Sequence, residues 1–182
     1  MCISIETSRL ILRPWRDSDL IFFAEMSQDN DVMRYFPNLL SRFESDDLAN
    51  LIQRFIAKQG WGFWALELKE SQEFIGFTGL HHQPKKFDFS PCTEIGWRLK
   101  RSAWKQGLAF EAAKASLDFG FNHLKLNEIV AFTAHSNIPS QNLMTHLGMK
   151  KVKTFIHPDV IEQSSLNPHI LYAIKNPKNK EA

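Results

Sequence analysis

Cysteine is scarce in this chain. Cys2 and Cys92 are the whole complement, and they form no C-x-x-C pair. No disulfide framework is indicated, and a reducing, cytoplasmic setting is expected. No run of eighteen apolar residues occurs, so no membrane span is expected. The opening MCISIETSRL lacks a basic segment followed by a long apolar one, so no secretory signal is read there. An excess of one charge is also lacking. The formal net charge of +2 gives no argument for a nucleic-acid partner. The patterns G-x-x-x-x-G-K-[ST], G-x-G-x-x-G and H-E-x-x-H are missing, which argues against nucleotide hydrolysis, dinucleotide redox chemistry and a metal site. No repeat, low-complexity stretch or linker interrupts the chain.

What is present is 182 residues, 43% of them hydrophobic, enough for one domain over 1–182 with a core of its own. The polar tail, about 176–182, is expected to fray. Fifteen Phe and five Trp point to bulky packing or an aromatic-lined cleft.

Arg9 to Trp15 reads as a strand that Pro14 limits. Asp17-Ser18-Asp19 starts a helix over roughly 18–27. Leu48, Leu51, Ile52, Phe55 and Ile56 make a helical stripe over about 45–59, with Ser45 as its cap and Gly60 as its stop. Gly62–Leu68 and Glu73–Leu80 form a hairpin, and His81–Pro91 reads as a loop. In Cys92–Leu99, Ile95, Trp97 and Leu99 share one face of a strand, and Glu94, Gly96 and Arg98 share the other. A helix follows from about Leu108 to His123. A strand over Asn127–Thr133 is expected parallel to Cys92–Leu99 by a right-handed crossover. A short helix, Ile138–Leu147, ends at Gly148, and strands at Met149–Ile156 and Ile170–Lys175 close the chain.

The stretch RSAWKQGLAFEAA, Arg101–Ala113, organises the rest. It joins a strand to a helix start, where unpaired N–H groups and the helix dipole favour an anion such as a pyrophosphate. Gly107 and Ala109 are small enough to let a ligand approach the main chain, and Arg101 and Lys105 add positive charge. On this loop alone, a plain connection is the simpler reading.

The order of pieces is more specific: EIGWRL, the loop WKQGLA, a helix, EIVAFTA, Asn137-x-x-Ser140, and Leu147-Gly148-Met149. This order resembles the GCN5-related N-acetyltransferases (GNAT), and more narrowly the branch of the ribosomal-protein alanine N-acetyltransferases. The likeness runs from SRLILRPW to about Lys175. Trp104 stands where the superfamily usually has Arg or Gln, a replacement common in the ribosomal branch. The resemblance implies a mixed α+β fold: a central, mostly antiparallel twisted sheet with one parallel, splayed strand pair and about four flanking helices.

It implies acetyl-CoA as cosubstrate and no metal. The pyrophosphate would rest on the N–H groups of Lys105, Gln106, Gly107, Leu108 and Ala109, beside Trp104. The pantetheine arm would enter the splay along Trp97, Arg98 and Leu99, with Asn137 bonding it from the opposite side. An N–H near Leu99 would meet the developing oxyanion. Ser140 is the expected acid for the leaving thiolate, with a helix-cap role compatible. Glu94 is the expected base, acting through water; a salt-bridged strand carboxylate is its plainer role. His81, His82 and His135 are candidates to face the acceptor, but a loop histidine is more often a surface residue, and all three are left outside the mechanism. Trp61, Phe63 and Trp64 are assigned to the core, with channel lining as the lesser alternative. The acceptor would be a primary amine, either a protein N-terminus or a small amine such as a polyamine or antibiotic. A non-catalytic CoA- or protein-binding fold is the alternative from another class. A monomer or homodimer, with no membrane and no direct nucleic acid, completes the expectation.

Overall fold

The computed structural model describes residues 3–180. Cys2 and the last two residues of the tail lie outside the described residues. The strands are β1 (Ile5–Glu6), β2 (Leu10–Arg13), β3 (Phe63–Leu68), β4 (Phe74–Gln83), β5 (Cys92–Leu99), β6 (Glu128–Ala134), β7 (Lys150–Phe155) and β8 (His169–Lys175). The helices are α1 (Asp19–Ser27), α2 (Arg42–Gln59), α3 (Leu108–Asn122) and α4 (Ile138–His146). Among the described residues the strands form one eight-stranded sheet in the order β1-β2-β3-β4-β5-β6-β8-β7. Every neighbouring pair is antiparallel except β5–β6.

Alternation along the strands sends apolar side chains to both faces, and each face is covered. On one side Leu10, Trp64, Ile75, Leu80, Ile95 and Ile129 pack with Leu108, Ala112, Ala113 and Leu117 of α3. The small residues of α3 let it lie close on the sheet. On the other side Phe74 and Phe77 pack with Trp15, Phe23 of α1, and Ala49, Ile52 and Ile56 of α2. Each large aliphatic residue buried in this way contributes about 1.5–3 kcal/mol.

A buried ionic knot fixes the first turn of α1 to the sheet. Arg13 reaches Asp19 with two N–H groups, at 2.7 and 2.9 Å, and Glu67 with a third, at 2.7 Å. A register shift between Leu66 and Glu67 marks a bulge where Glu67 meets this cluster.

Two expected boundaries move. α2 begins at Arg42 because Ser41 and Glu44 form a reciprocal capping box, so Ser45 is not the cap. Ser45 is buried inside the helix and donates to Ser27 Oγ at 3.4 Å. β4 runs on to Gln83, so His81, His82 and Gln83 belong to a strand paired with β5 rather than to a loop. At the other end, Asn176 is buried and donates to the Leu126 carbonyl at 3.1 Å, ahead of a single 3-10 turn at Pro177–Lys180.

Candidate active site

The site grows from the loop between β5 and α3. After a 3-10 turn at Arg101–Ala103, the Trp104 indole N–H donates to the Leu99 carbonyl at 2.8 Å and pins the loop to the strand end. Lys105 (φ 59°) and Gly107 (φ 76°) both take left-handed backbone, which a glycine adopts without strain. Arg9 braces the turn from β2's approach. It donates to the Gln106 carbonyl at 2.9 Å and forms an ion pair with Glu111 at 2.7 Å. Hydrogen bonds from Thr7 and Arg9 hold the Glu111 carboxyl below its ordinary pKa, against the opposing effect of burial. The N–H groups of Lys105 through Ala109 have no protein acceptor among the described residues. They form a fixed set of donors at the start of α3.

Beside this loop the sheet opens. β5 and β6 are in register only at Glu94 and Val130. Beyond that pair the strands part, and a cavity of about 1160 Å³ lies along the split. The antiparallel ladder with β4 decides which groups face the split. Lys100 N–H reaches the Ile75 carbonyl at 3.0 Å, and the register pairs Phe77 with Arg98. Hydrogen bonding alternates along such a ladder, so the main chain of Glu94, Gly96 and Arg98 is tied to β4. The main-chain groups of Ile95, Trp97 and Leu99 turn toward β6.

On the far wall, Asn137 is the N-cap of α4. Its Oδ1 accepts from Ser140 N–H at 3.3 Å, and its Nδ2 donates to Thr133 Oγ1 at 2.9 Å. Ser140 therefore occupies the first helical turn and is not the cap. Its hydroxyl makes no hydrogen bond among the described residues and lines the cavity. On the near wall, Glu94 Oε1 lies 3.2 Å from His81 Nδ1 and accepts from Gln83 Nε2 at 3.0 Å. The His81 ring packs against Phe55 and Phe63, with centroids 5.0 and 5.7 Å away. Further along, His157 and His169 approach with centroids 4.7 Å apart. Burial pushes the pKa of both rings down, His169 to about 4. Burial likewise pushes the Cys92 thiol up to about 11, which leaves it a poor nucleophile at neutral pH.

Residues 9–150 match the acetyltransferase (GNAT) domain family. The chain belongs to the GNAT acetyltransferase family. The N-acetyltransferase YoaA of Bacillus subtilis is 34% identical over 153 residues, covering 81% of this chain and 82% of its own. A GNAT-family acetyltransferase from Bacillus anthracis superposes with a TM-score of 0.80 at 26% identity, covering 96% of this chain and 99% of that one. Two more distant structures share the fold, each at 19% identity and covering 96% of this chain. They are the ribosomal-protein-S5-alanine acetyltransferase of Vibrio fischeri (TM-score 0.75, 97% of that chain) and a Vibrio cholerae spermidine N-acetyltransferase with CoA and spermine (TM-score 0.74, 100% of that chain).

This acetyltransferase uses acetyl-CoA as its acyl donor, and the loop and split have the donors and room such a molecule needs. Its cavity brings together Glu94, Trp97, Arg98, Leu99, Trp104, Lys105, Gly107, Leu108, Ala109, Asn137 and Ser140. Gln106 is not among the lining residues: its side chain folds back to donate to the Ser102 carbonyl at 2.6 Å. Arg98 lines the cavity from the opposite face of β5 to Leu99. Its main chain is spent on β4, and its guanidinium stacks on Phe36 and Phe77 on the α1–α2 face. Trp64 is in the core, whereas Phe63 lines the cavity. His81, one of the three histidines weighed as facing the acceptor, lines it, and so do His157 and His169, to which the sequence did not point. Only continued strand alternation past Leu80 was available as a signal for His81, and no short-range pattern pairs His157 with His169. Among the described residues there is no cluster of three or more groups able to hold a metal, and no helix long and apolar enough to cross a membrane.

Proposed function

We propose that this acetyltransferase moves an acetyl group to the α-amine of its acceptor by direct attack of the uncharged amine on the thioester. The parting of β5 from β6 beside the donor-lined loop carries this reading. The new bond is between amine nitrogen and acetyl carbon. The bond that breaks is carbon to sulfur, and the thiolate then takes a proton. The N–H groups from Lys105 to Ala109 hold the diphosphate, with Gln106 contributing its main chain only. The main chain of Trp97 and Leu99 aligns the arm, and the Leu99 N–H faces the carbonyl oxygen as charge develops. Holding the two reactants in line is worth roughly 7–11 kcal/mol. Glu94, with His81 against it, receives the amine proton through water. Ser140, whose hydroxyl is free, supplies the proton to sulfur. Asn137 holds the turn that presents Ser140.

Basicity favours an α-amine as the acceptor: with a pKa of about 8 it needs less help from a base than a lysine amine at about 10.4.

Calorimetry with acetyl-CoA, followed by a thiol-release assay on N-terminal peptides, lysine peptides and polyamines, tests the proposal. Binding together with turnover on α-amines supports it. Turnover restricted to polyamines overturns the acceptor class. Cofactor binding without turnover on any amine favours a binding role for the fold instead.

A further inference from the structure

Arg98 presents a charge that the folded chain does not answer. The residue is 9% exposed, and its Nε and Nη1 have no hydrogen-bond partner. The contrast with Arg13 is direct. Arg13 is also buried, and all three of its guanidinium nitrogens meet acceptors on Asp19, Glu67 or the Pro14 carbonyl. A structural arginine is satisfied in that way, because a buried cation without partners is costly. The Arg98 guanidinium lies over rings, with Phe36 at 4.2 Å, Phe77 at 5.4 Å and Phe23 at 5.8 Å. These attract a cation but accept no conventional hydrogen bonds. Asp31, an acid that lines the same cavity, is already engaged by Arg34 at 2.7 Å and Arg101 at 2.6 Å. Burial lowers the Arg98 pKa only to about 10, so the side chain stays charged at neutral pH.

Arg98 lines the cavity on the face of β5 that also holds Glu94, opposite the face on which α3 packs. That places it on the acceptor side, away from the N–H groups proposed for the diphosphate. Gly96 lies between the two on the same face, with the Phe63 ring about 3.1 Å from the position a Cβ would take. The wall thus runs from a carboxylate, across a ring, to a cation. Four strand residues set the Cα atoms of Glu94 and Arg98 roughly 13 Å apart.

We infer that the acceptor carries a carboxylate as well as its amine, and that Arg98 receives that carboxylate. This rests on the amine-acetylation reading above and narrows its substrate class. A planar guanidinium suits a carboxylate because two N–H groups can meet its two oxygens. The carboxylate can come from an acidic residue near a peptide N-terminus or from a free amino acid.

The test uses the full-length protein with acid and amide pairs of equal shape: N-terminal peptides with Glu or Gln, and Asp or Asn, at the first two positions, and free α-amino acids with their α-carboxamides. At least a tenfold higher kcat/KM for the acid member is expected in one series, and the series that shows it identifies the source. Arg98→Met fills the space without the charge and is expected to lose the preference while still acetylating the amides. Arg98→Lys is expected to keep part of it. If the variants do not fold, the acid-to-amide ratio of the native protein still decides. Equal rates on acids and amides, with clear turnover, overturn the inference and leave amine acetylation standing. Absence of turnover on every amine removes both.

Discussion

Glu94 Oε1 lies 3.2 Å from Nδ1 of His81, across the β4–β5 ladder at a position where the two residues are register partners. A carboxylate and an imidazole held this way on the cavity wall position each other, and the proposed mechanism uses the carboxylate as its proton acceptor. Glu94→Gln keeps the shape and the bond to Gln83 but removes the basic oxygen. At pH 7 its kcat/KM is expected to fall about a hundredfold, within the usual range for a general base. The deficit should shrink at high pH, where the acceptor amine is already uncharged. A pH–rate profile superimposable on the native one would show that Glu94 has only a structural part.

Ser140 stands one turn into α4 with an unengaged hydroxyl, while Asn137 does the capping. Capping and proton donation are therefore separable by mutation. Ser140→Ala is expected to lower kcat by about tenfold to a hundredfold with acetyl-CoA affinity unchanged. Asn137→Ala is expected to lower stability by about 1 kcal/mol through the lost cap. Calorimetry, steady-state kinetics and chemical unfolding on both variants separate the two effects. Unchanged turnover in Ser140→Ala would remove it from the chemistry.

Much of this architecture was legible because local patterns agreed with one another. The strand EIGWRL, the loop with Gly107, the broad face of α3 and the parallel β6 follow from periodicity and handedness alone. The misses share a physical cause: they depend on partners remote in sequence. Arg98 alternates with Glu94 and Gly96, which already places it on the face away from Trp97 and Leu99. Its aromatic surroundings, Phe36 and Phe77, became visible only in the fold. His81 looked like loop because His-His-Gln carries no apolar alternation, yet pairing with Thr93 and Glu94 extends the strand. α2 was started late because its cap, Ser41, precedes the first apolar residue of the stripe by several positions. The ion pairs Lys86–Asp159 and Lys153–Asp88 likewise tie basic residues to acids far along the chain.

The Arg13–Asp19–Glu67 cluster predicts an unequal sensitivity to charge removal. Asp19→Asn leaves a guanidinium that is buried and only partly answered. Breaking one partner of such a pair typically costs 3–5 kcal/mol, so a loss of about 3 kcal/mol in urea unfolding is expected. Lys114→Ala removes an exposed i,i+4 pair with Asp118 and should change stability by less than about 0.5 kcal/mol. Equal losses in the two variants would mean that Asp19 is better solvated than its burial indicates.

His169 makes stability depend on pH in a definite direction. The ring is 8% exposed, its Nδ1 has no partner, and the neighbouring His157 opposes a second charge. Its pKa is about 4 in the folded chain, against about 6.5 when unfolded. Between those values the unfolded chain binds a proton that the folded chain refuses. The contribution is complete above pH 6.5 and is lost as pH falls through the window, levelling below 4. The slope reaches about 1.4 kcal/mol per pH unit. The lowered pKa of His157 acts in the same sense, so His169→Phe is expected to flatten the dependence without abolishing it. Urea midpoints of the native and variant proteins at pH 7, 6 and 5 check this. A native midpoint that does not fall over this range would mean that the ring takes up its proton in the folded state.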